Sequence, residues 1–536
     1  MLGLIILLGR VFELQLIKGY YFRQLAEGNR VRRVPIVASR GKIFARGGET
    51  LVGNKEIKRA VVFDPQEGFE KLEVEGDQVD ADILTEWARD YVLREGFAHV
   101  SGYLGEVDKE EVGKVNPECL EKGPRKLGSL IGRTGLEEQY ECKLAGIDGE
   151  ELVEVDSLGQ KVRTLGRLEP KPGEDIKTTI HYGLQNKVAQ VMKGEKGLPA
   201  GRQGAVVVSD TKGEVLALYS SPSYDPNVFV ERDSDKIMSI LKNKNNPLFN
   251  RVISGVFHPG SVYKPVVVTA GLEEGSIDEY FKYDDPGVIT IDSPYGSFSY
   301  SNWYFTQYGR KEGEIGVVRA ITRSTDTFFY KLGEFIGVDS LNDWSQRFGL
   351  DELTGIDLPA EVAGLVPSPE WKERVKGERW FLGNTYHMSI GQGDIVLTPI
   401  AMNSAISTIA SGGFLCRPRL VDTEESENSQ CKDLGISPNT LNLVKEGMQG
   451  ACLPGGTGFT FFDFPEKTGE TVACKTGTAE TGDGETTHAW FVAFAPVDFP
   501  EIVVTVLVEK GGEGAYVAGP IAREIFDYWF VERGYD

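Results

Sequence analysis

The stretch "HPGSVYKPVVVTAGL", residues 258–272, joins a serine, a lysine three residues on and a long apolar run. Pro259 and Gly260 close a loop, and "VVVTAGL" reads as a buried helix. Pro265 fits only if that helix begins close to Ser261, because first-turn N–H groups have no intrahelical acceptor. Ser261 and Lys264 then share a helical face. The helix N-terminus favours negative charge on Ser261 and on an oxyanion beside it. Burial lowers a lysine's pKa from its ordinary value of about 10.4, and a second cation nearby lowers it further. Serine with lysine is one solution to acyl transfer, where a nucleophile needs a base. The pattern Ser-x-x-Lys carries little by itself, since it recurs at Ser39, Ser209, Ser239 and Ser429. Ser39 precedes an Arg-Gly turn, and Ser209 falls in a hairpin turn. Ser239 sits in a helix with lysines on several faces, and Ser429 lies in an acidic loop. Only Ser261 opens an apolar helix.

The second cation is sought in "KTGETVACKTGTAET", residues 467–481, where Lys-Thr-Gly occurs twice. Lys467 has loop context, with Pro465 just upstream. Lys475 follows "TVAC", a run of strand propensity, and precedes small residues. A glycine inside a strand weakens it unless another backbone or a ligand comes close. A strand Lys475-Thr476-Gly477-Thr478 presents a cation and hydroxyls and exposes its backbone at Gly477. That suits docking of an extended peptide bearing a carboxylate. Lys475 is therefore the candidate partner of Lys264. Strand alternation turns Cys474 to the opposite face, where it reads as buried packing.

A chain of 536 residues exceeds one simple core, so two or three domains are expected. A net charge of −22 without a basic stripe argues against nucleic-acid binding. The six cysteines form no CxxC and the five histidines no HExxH, which argues against a zinc ribbon or dithiol site. "MLGLIILLG" at the start is apolar but shorter than the roughly 20 residues of a full span. It lacks the basic start and cleavage site of a signal peptide. It reads either as a buried helix or as the outer end of a membrane anchor.

Residues 40–54 read as strand, Gly-Gly turn, strand. "DADILTEWARDYVLREG", residues 80–96, has helical periodicity. Thr134 is placed to cap a short helix. "EPKPGED", residues 169–175, marks a boundary. Beyond it, residues 203–227 read as a hairpin around "DTKG". "TVACKTGTA", "HAWFVAFAP" and "EIVVTVLVEKG" read as three more strands, before a last helix with Pro520 near its first turn. The region between, about 262–455, is largely helical. An antiparallel sheet built from both ends of a domain, with helices inserted, is an α+β arrangement.

Ser261-Val-Tyr-Lys264 and Lys475-Thr-Gly-Thr478 resemble the first and third signatures of the penicilloyl-serine transferases. Between them, Ser324-Thr325-Asp326 stands where the family's Ser-x-Asn motif falls. Asp at its third position, with the flank "TFFY", resembles the elongation-type class B enzymes, the penicillin-binding protein 2 group. "GNRVRRVPIVASRGKIFARGGETLVGN", "IGRTGLEEQYE", "SIGQGDIVLTP" and "IASGGFLCRPRLV" are similar to that group as well, so the likeness covers nearly the whole chain. Ala45 replaces a usual Asp, and the segment between "LVGN" and "HVSGYLGEV" is shorter than the usual head.

The resemblance implies an antiparallel-sheet transpeptidase domain with a helical insert at 171–536. It implies an elongated α+β pedestal and dimerisation domain with a reduced head at 19–170, and a partial transmembrane anchor at 1–18. It implies a peptidoglycan DD-transpeptidase of the bacterial cytoplasmic membrane, single-pass, with the catalytic domain on the external face. In that scheme Ser261 is the nucleophile, Lys264 takes its proton, and Ser324, held between Lys264 and Lys475, relays a proton toward the leaving amine. Asp326 bonds Lys264 or the substrate amide. Lys475, Thr476 and Thr478 hold the terminal carboxylate along the strand exposed at Gly477. The N–H groups of Ser261 and Thr478 form the oxyanion hole. Stem peptides, β-lactams and a separate glycan polymerase are the implied partners, with no cofactor. Some relatives carry zinc near the second motif. Residues 284–326 hold neither His nor Cys, and Asp284, Asp285 and Asp292 are a poor zinc set, so no metal is expected. Rival readings are a DD-carboxypeptidase, a β-lactamase-type hydrolase and a non-catalytic β-lactam-binding scaffold. The second lacks a dedicated glutamate motif and the third a signalling domain. In an oxidising compartment Cys416 and Cys431, which flank an acidic loop, are candidates to pair.

Overall fold

The computed structural model describes residues 2–22, 30–64, 68–73, 83–156, 161–194, 202–294, 296–422, 431–482 and 484–533. Its C-terminal half is built on a five-stranded antiparallel sheet. The strands are β1 (Gly204–Ser209), β2 (Val215–Ser221), β3 (Ala473–Glu480), β4 (Thr487–Ala495) and β5 (Ile502–Val508), in the order β2-β1-β5-β4-β3. Their apolar runs are nearly continuous because both faces are covered. Ala205 and Val207 face one core with Trp490, Val492 and Leu507. Val206 and Val208 face a second core with Phe491, Ile521 and Phe526. The helices used below are α1 (Lys264–Glu273), α2 (Val317–Arg323), α3 (Asp326–Arg347, broken at Gly337), α4 (Pro399–Ala410), α5 (Pro438–Ala451) and α6 (Gly514–Asp527). α1 and α4 pack in the first core and α6 in the second. β3 lies at the sheet's edge, so one side of its backbone is not paired within the sheet.

The N-terminal half carries two further sheets. One joins Val31–Ile36, Gly149–Val155 and Lys161–Leu168. The other is built on the long strand Thr50–Asp64, which forms the expected hairpin with Ile43–Phe44. The halves meet through directed bonds. Tyr140 Oη donates to Asp357 Oδ2 at 2.8 Å, Gln185 Nε2 to the Gly96 carbonyl at 2.7 Å, and the Tyr91 N–H to Asn227 Oδ1 at 3.0 Å. Behind this junction, Arg89 and Arg40 converge on Glu137, whose side chain has 0% exposure. Arg89 Nε reaches Glu137 at 2.6 Å and Arg40 Nη2 at 2.8 Å. Burial opposes ionisation of Glu137, yet the two guanidiniums hold its pKa below the ordinary carboxylate value.

Four local readings change. Residues 83–91, expected to be helical, form a strand paired with Thr50–Asp64. The buried side chains there include Glu86, Arg89 and Tyr91, polar residues that a hydrophobicity count passes over. Ser209 ends strand β1 rather than lying in the turn, and its hydroxyl donates to Asn403 Oδ1 at 2.7 Å. Pro520 falls inside α6, because the helix starts earlier, at Gly514, where that glycine packs on the backbone of Gly477 and Trp490. Thr134 takes the N-cap position of Gly135–Gln139 without a side-chain cap bond. Cysteine usage is also fuller than read: Cys119–Cys142, Cys416–Cys431 and Cys452–Cys474 are disulfides, leaving no free thiol. Cys474 is buried in the second core as expected, and is cross-linked there. At the N-terminus a helix spans Leu2–Phe12, and among the described residues no helix is long and apolar enough to cross a membrane.

Candidate active site

A 3₁₀ turn, Gly260–Tyr263, leads into α1, so Ser261 lies in a tight turn just ahead of the helix. Pro265 sits in the first turn of α1, where its missing N–H costs nothing. Ser261 is half-buried and Lys264 fully buried. Gly260 has φ +55°, and a Cβ there would stand 2.8 Å from the Thr478 carbonyl oxygen. The serine turn is thus pressed against β3. The same contact explains the glycine inside β3. A Cβ at Gly477 would meet Val262 Cγ1 and Trp490 Cβ at 3.0 Å and the Pro259 carbonyl at 3.2 Å. Gly477 is buried rather than exposed, and the backbone it admits is the protein's own turn.

Ser324 ends α2 and α3 starts at Asp326. Ser324 holds the left-handed conformation, φ 55° and ψ 38°, which is sparsely populated by non-glycine residues. Lys264 Nζ donates to Asp326 Oδ1 at 2.6 Å, to the Ser324 carbonyl at 2.9 Å and to Ser324 Oγ at 3.1 Å. It also lies 4.8 Å from the centre of the Phe329 ring. Lys475 Nζ approaches the same Ser324 Oγ at 2.8 Å and its neighbour's carbonyl, Thr476, at 2.9 Å. The structure therefore brings Lys264, Ser324, Asp326 and Lys475 into one cluster beside the turn of Ser261.

The electrostatics follow from burial. Both lysines have 0% exposure. Lys475 is pushed well below the ordinary lysine value, first by burial and then by the Lys264 cation, with Asp326 opposing. Lys264 is lowered by burial, against the Asp326 carboxylate that holds the proton on it. Two cations and one carboxylate in a dry cluster favour the loss of one lysine proton. The Ser324 hydroxyl stands within hydrogen-bond distance of both amines. Lys467, the lysine of the other Lys-Thr-Gly, lies in the helix Phe464–Thr468, is 45% exposed and pairs with Asp527 at 2.7 Å. Ser239 lies on the helix Ser234–Leu241, and Ser429 lies outside the described residues.

Thr476 and Thr478 retain some exposure at the edge of the sheet. Thr476 Oγ1 donates to Thr457 Oγ1 at 3.0 Å, and the Gly514 N–H at the start of α6 reaches Thr478 Oγ1 at 3.4 Å. Gln392 Nε2 donates to the Thr478 carbonyl at 3.4 Å. Thr457 and Gln392 were not singled out in the sequence. The only signal at Thr457 is a lone threonine among glycines in "PGGTG".

Asp326 has supports that the motif alone does not reveal. Its Oδ2 accepts the Trp303 N–H at 3.0 Å, and its own N–H donates to Asn302 Oδ1 at 3.2 Å. Near it lies Asp285, one of the three aspartates weighed for zinc. Both oxygens of Asp285 already accept bonds from protein donors, and zinc prefers nitrogen and sulfur. The residues here do not fit a zinc site. Among the described residues no group of three or more His, Cys, Asp or Glu is arranged to hold a metal ion.

Comparison with known proteins agrees with this geometry. Residues 203–527 match the penicillin binding protein transpeptidase domain, and residues 65–178 match the penicillin-binding protein dimerisation domain. The peptidoglycan D,D-transpeptidase MrdA of Acinetobacter baumannii is 31% identical over 99% of this chain and 86% of its own. The crystal structure of Pseudomonas aeruginosa PBP2 in complex with WCK 5153 is 30% identical, with a TM-score of 0.73 over 93% of this chain and 97% of that one. PBP2 from Helicobacter pylori, in complex with MreC, is 26% identical with a TM-score of 0.77, covering 94% of this chain and 99% of that one. With matched domains covering most of its length, and a buried two-lysine cluster standing where the three signatures meet, the chain belongs to the penicillin-binding protein transpeptidase family.

Proposed function

We propose that this protein is a serine D-Ala-D-Ala transpeptidase that cross-links peptidoglycan stem peptides during cell-wall elongation and is acylated by β-lactams. The observation that carries the reading is the Ser324 hydroxyl held at 3.1 and 2.8 Å between two fully buried lysines, beside the Ser261 turn. Ser261 Oγ attacks the carbonyl carbon of the penultimate D-Ala, and its proton goes to neutral Lys264. The N–H groups of Ser261 and Thr478 receive the oxyanion. The C–N bond then breaks, and the departing D-Ala amine takes a proton delivered through Ser324. An amine of a neighbouring stem attacks the ester and returns a proton to the lysine pair, which frees Ser261. Lys475, Thr476 and Thr478 hold the donor's terminal carboxylate against the open edge of β3, with Thr457 orienting Thr476.

The reading extends to the rest of the chain. Residues 171–536 act as the catalytic unit on a pedestal formed by 19–170, and residues 1–18 contribute to a membrane anchor that places catalysis on the external face. The complex of the Helicobacter pylori PBP2 with MreC supports a partner protein of that kind for this chain. A separate glycan polymerase supplies the strands. The test uses fluorescent penicillin and a D-Ala-D-Ala pentapeptide with an acceptor amine. The expected results are one adduct, mapped to Ser261 and lost in Ser261→Ala, and a cross-linked product. An adduct on another serine would refute the site, and hydrolysis without cross-linking would refute the reaction.

A further inference from the structure

Asp285 ends the strand Tyr283–Asp285 and is only 2% exposed. Four donors converge on its carboxylate. Oδ1 accepts Thr327 Oγ1 at 2.6 Å and the Gly287 N–H at 2.9 Å. Oδ2 accepts Asn302 Nδ2 at 3.1 Å and the Glu312 N–H at 2.9 Å. Two of these donors flank the second motif. Thr327 follows Asp326 directly and is fully buried at the start of α3. Asn302, also fully buried, accepts the Asp326 N–H through Oδ1 and precedes Trp303, whose N–H holds Asp326 Oδ2. Asp326 in turn holds Lys264. We propose that Asp285 is a positioning residue for acylation, fixing Asp326 against Lys264 by gripping Thr327 on one oxygen and Asn302 on the other. The inference rests on the transpeptidase reading of the cluster.

The hydrogen-bond inventory shows why a carboxylate is needed. Each oxygen of Asp285 takes one backbone N–H, from Gly287 or Glu312, which cannot rotate away. An asparagine would turn an NH₂ toward one of those N–H groups in either orientation, and leave a buried donor without an acceptor. If Asn302 flipped to compensate, its NH₂ would face the Asp326 N–H. The strain therefore falls on the groups that hold Asp326. Misplacement of a catalytic group by about 1 Å costs roughly 10²-fold.

The experiment compares wild type, Asp285→Asn, Thr327→Val, Asp326→Asn and the remote core variant Ile409→Val in α4. It reads the second-order rate of fluorescent-penicillin acylation against pH, with thermal midpoints alongside. Lys264 is faced by Asp326 from α3, Lys475 from β3, the Ser324 hydroxyl and carbonyl, and the Phe329 ring. Of these, Asp326 favours its charged form. Loosening Asp326 makes Lys264 easier to deprotonate, so the acid limb moves to lower pH while the plateau falls. Asp285→Asn should lower the plateau roughly 10- to 100-fold and shift the limb acidward, in the direction of Asp326→Asn. Thr327→Val, which keeps shape and loses the 2.6 Å bond, should do the same more weakly. It also serves if Asp285→Asn does not fold. Ile409→Val should leave the limb in place. A wild-type rate and limb in both variants would overturn the inference. So would a slower rate with an unmoved limb, which marks a merely structural role. Absence of Ser261 labelling in the wild type would instead overturn the transpeptidase reading itself.

Discussion

Replacing Lys475 by methionine removes the second cation while keeping most of the side-chain volume. In the structure this amine is fully buried, 2.8 Å from Ser324 Oγ. In the proposed mechanism the substitution takes away one end of the proton relay and the cation that would meet the substrate carboxylate. Loss of a general acid–base partner costs about 10²–10⁴ in rate. That is about 2.7–5.4 kcal/mol of transition-state stabilisation at 1.36 kcal/mol per decade. A second effect has a fixed sign. Repulsion between the two amines is mutual, and it helps Lys264 lose its proton. Without Lys475 the Asp326 carboxylate acts alone on Lys264, whose pKa rises, so the acid limb of the acylation profile moves to higher pH. Lys467→Met is the matched control, because that side chain is 45% exposed and pairs with Asp527. Exposed ion pairs contribute about 0–1 kcal/mol to stability, and this one has no contact with the cluster. Stopped-flow acylation by a fluorescent penicillin, across pH, reads both effects. Equal losses from the two lysines, or an acid limb that moves acidward in Lys475→Met, would refute the assignment of the cluster.

Two further outcomes follow from the scaffold. Replacing Cys452 and Cys474 together by alanine opens a cross-link with a sequence separation of 22, between the end of α5 and the residue before Lys475. Loop-closure entropy sets the loss at about 3 kcal/mol, read from the urea midpoint, and acylation should slow because β3 loses its tether. Glu137→Gln should cost about 3–5 kcal/mol, since Arg40 and Arg89 would stay buried without their anion. Because the folded pKa of Glu137 is depressed, its stabilisation is full above the ordinary carboxylate value of about 4.3 and is lost as pH falls through the folded value. Urea titrations between pH 3 and pH 7, on the order of the carboxylate range, should show that slope in wild type and its reduction in Glu137→Gln.

The chemistry-bearing residues were legible because each motif is local. A serine one turn before a lysine, and a glycine in a strand after a lysine, declare themselves within a few positions. Their meeting was inferred from chemical need, and the structure supplies it through Ser324. Four strands of the catalytic sheet were legible because their runs are largely apolar, and β3 because "TVAC" leads into its Lys-Thr-Gly. The strand Ile83–Tyr91 was not, because its buried positions include Glu86, Arg89 and Tyr91, and the partner of Arg89 and Tyr91, Glu137, lies far along the chain. Asn302 and Asp285 were illegible as supports for the same reason. A buried polar residue looks exposed in sequence, and only its long-range partners show otherwise.

Ser324 shows what the fold accepts to make the site. A left-handed residue without the freedom of glycine is held at some cost, on the order of 1–3 kcal/mol. Glycine would remove that cost and also the hydroxyl between the amines. The left-handed turn does a second thing. It sets the Ser324 carbonyl and hydroxyl together on Lys264 Nζ, at 2.9 and 3.1 Å, while Asp326 completes the amine's third bond at 2.6 Å. A charged Lys264 thus has all three protons placed. When one proton leaves, the lone pair opens along that proton's direction, and of the three partners only the Ser324 hydroxyl can turn to donate into it, the same hydroxyl that stands 2.8 Å from Lys475. The strain at Ser324, the burial of both lysines and the glycines at 260 and 477 therefore meet in one arrangement, in which, by the proposed mechanism, a lysine freed of one proton serves as the base.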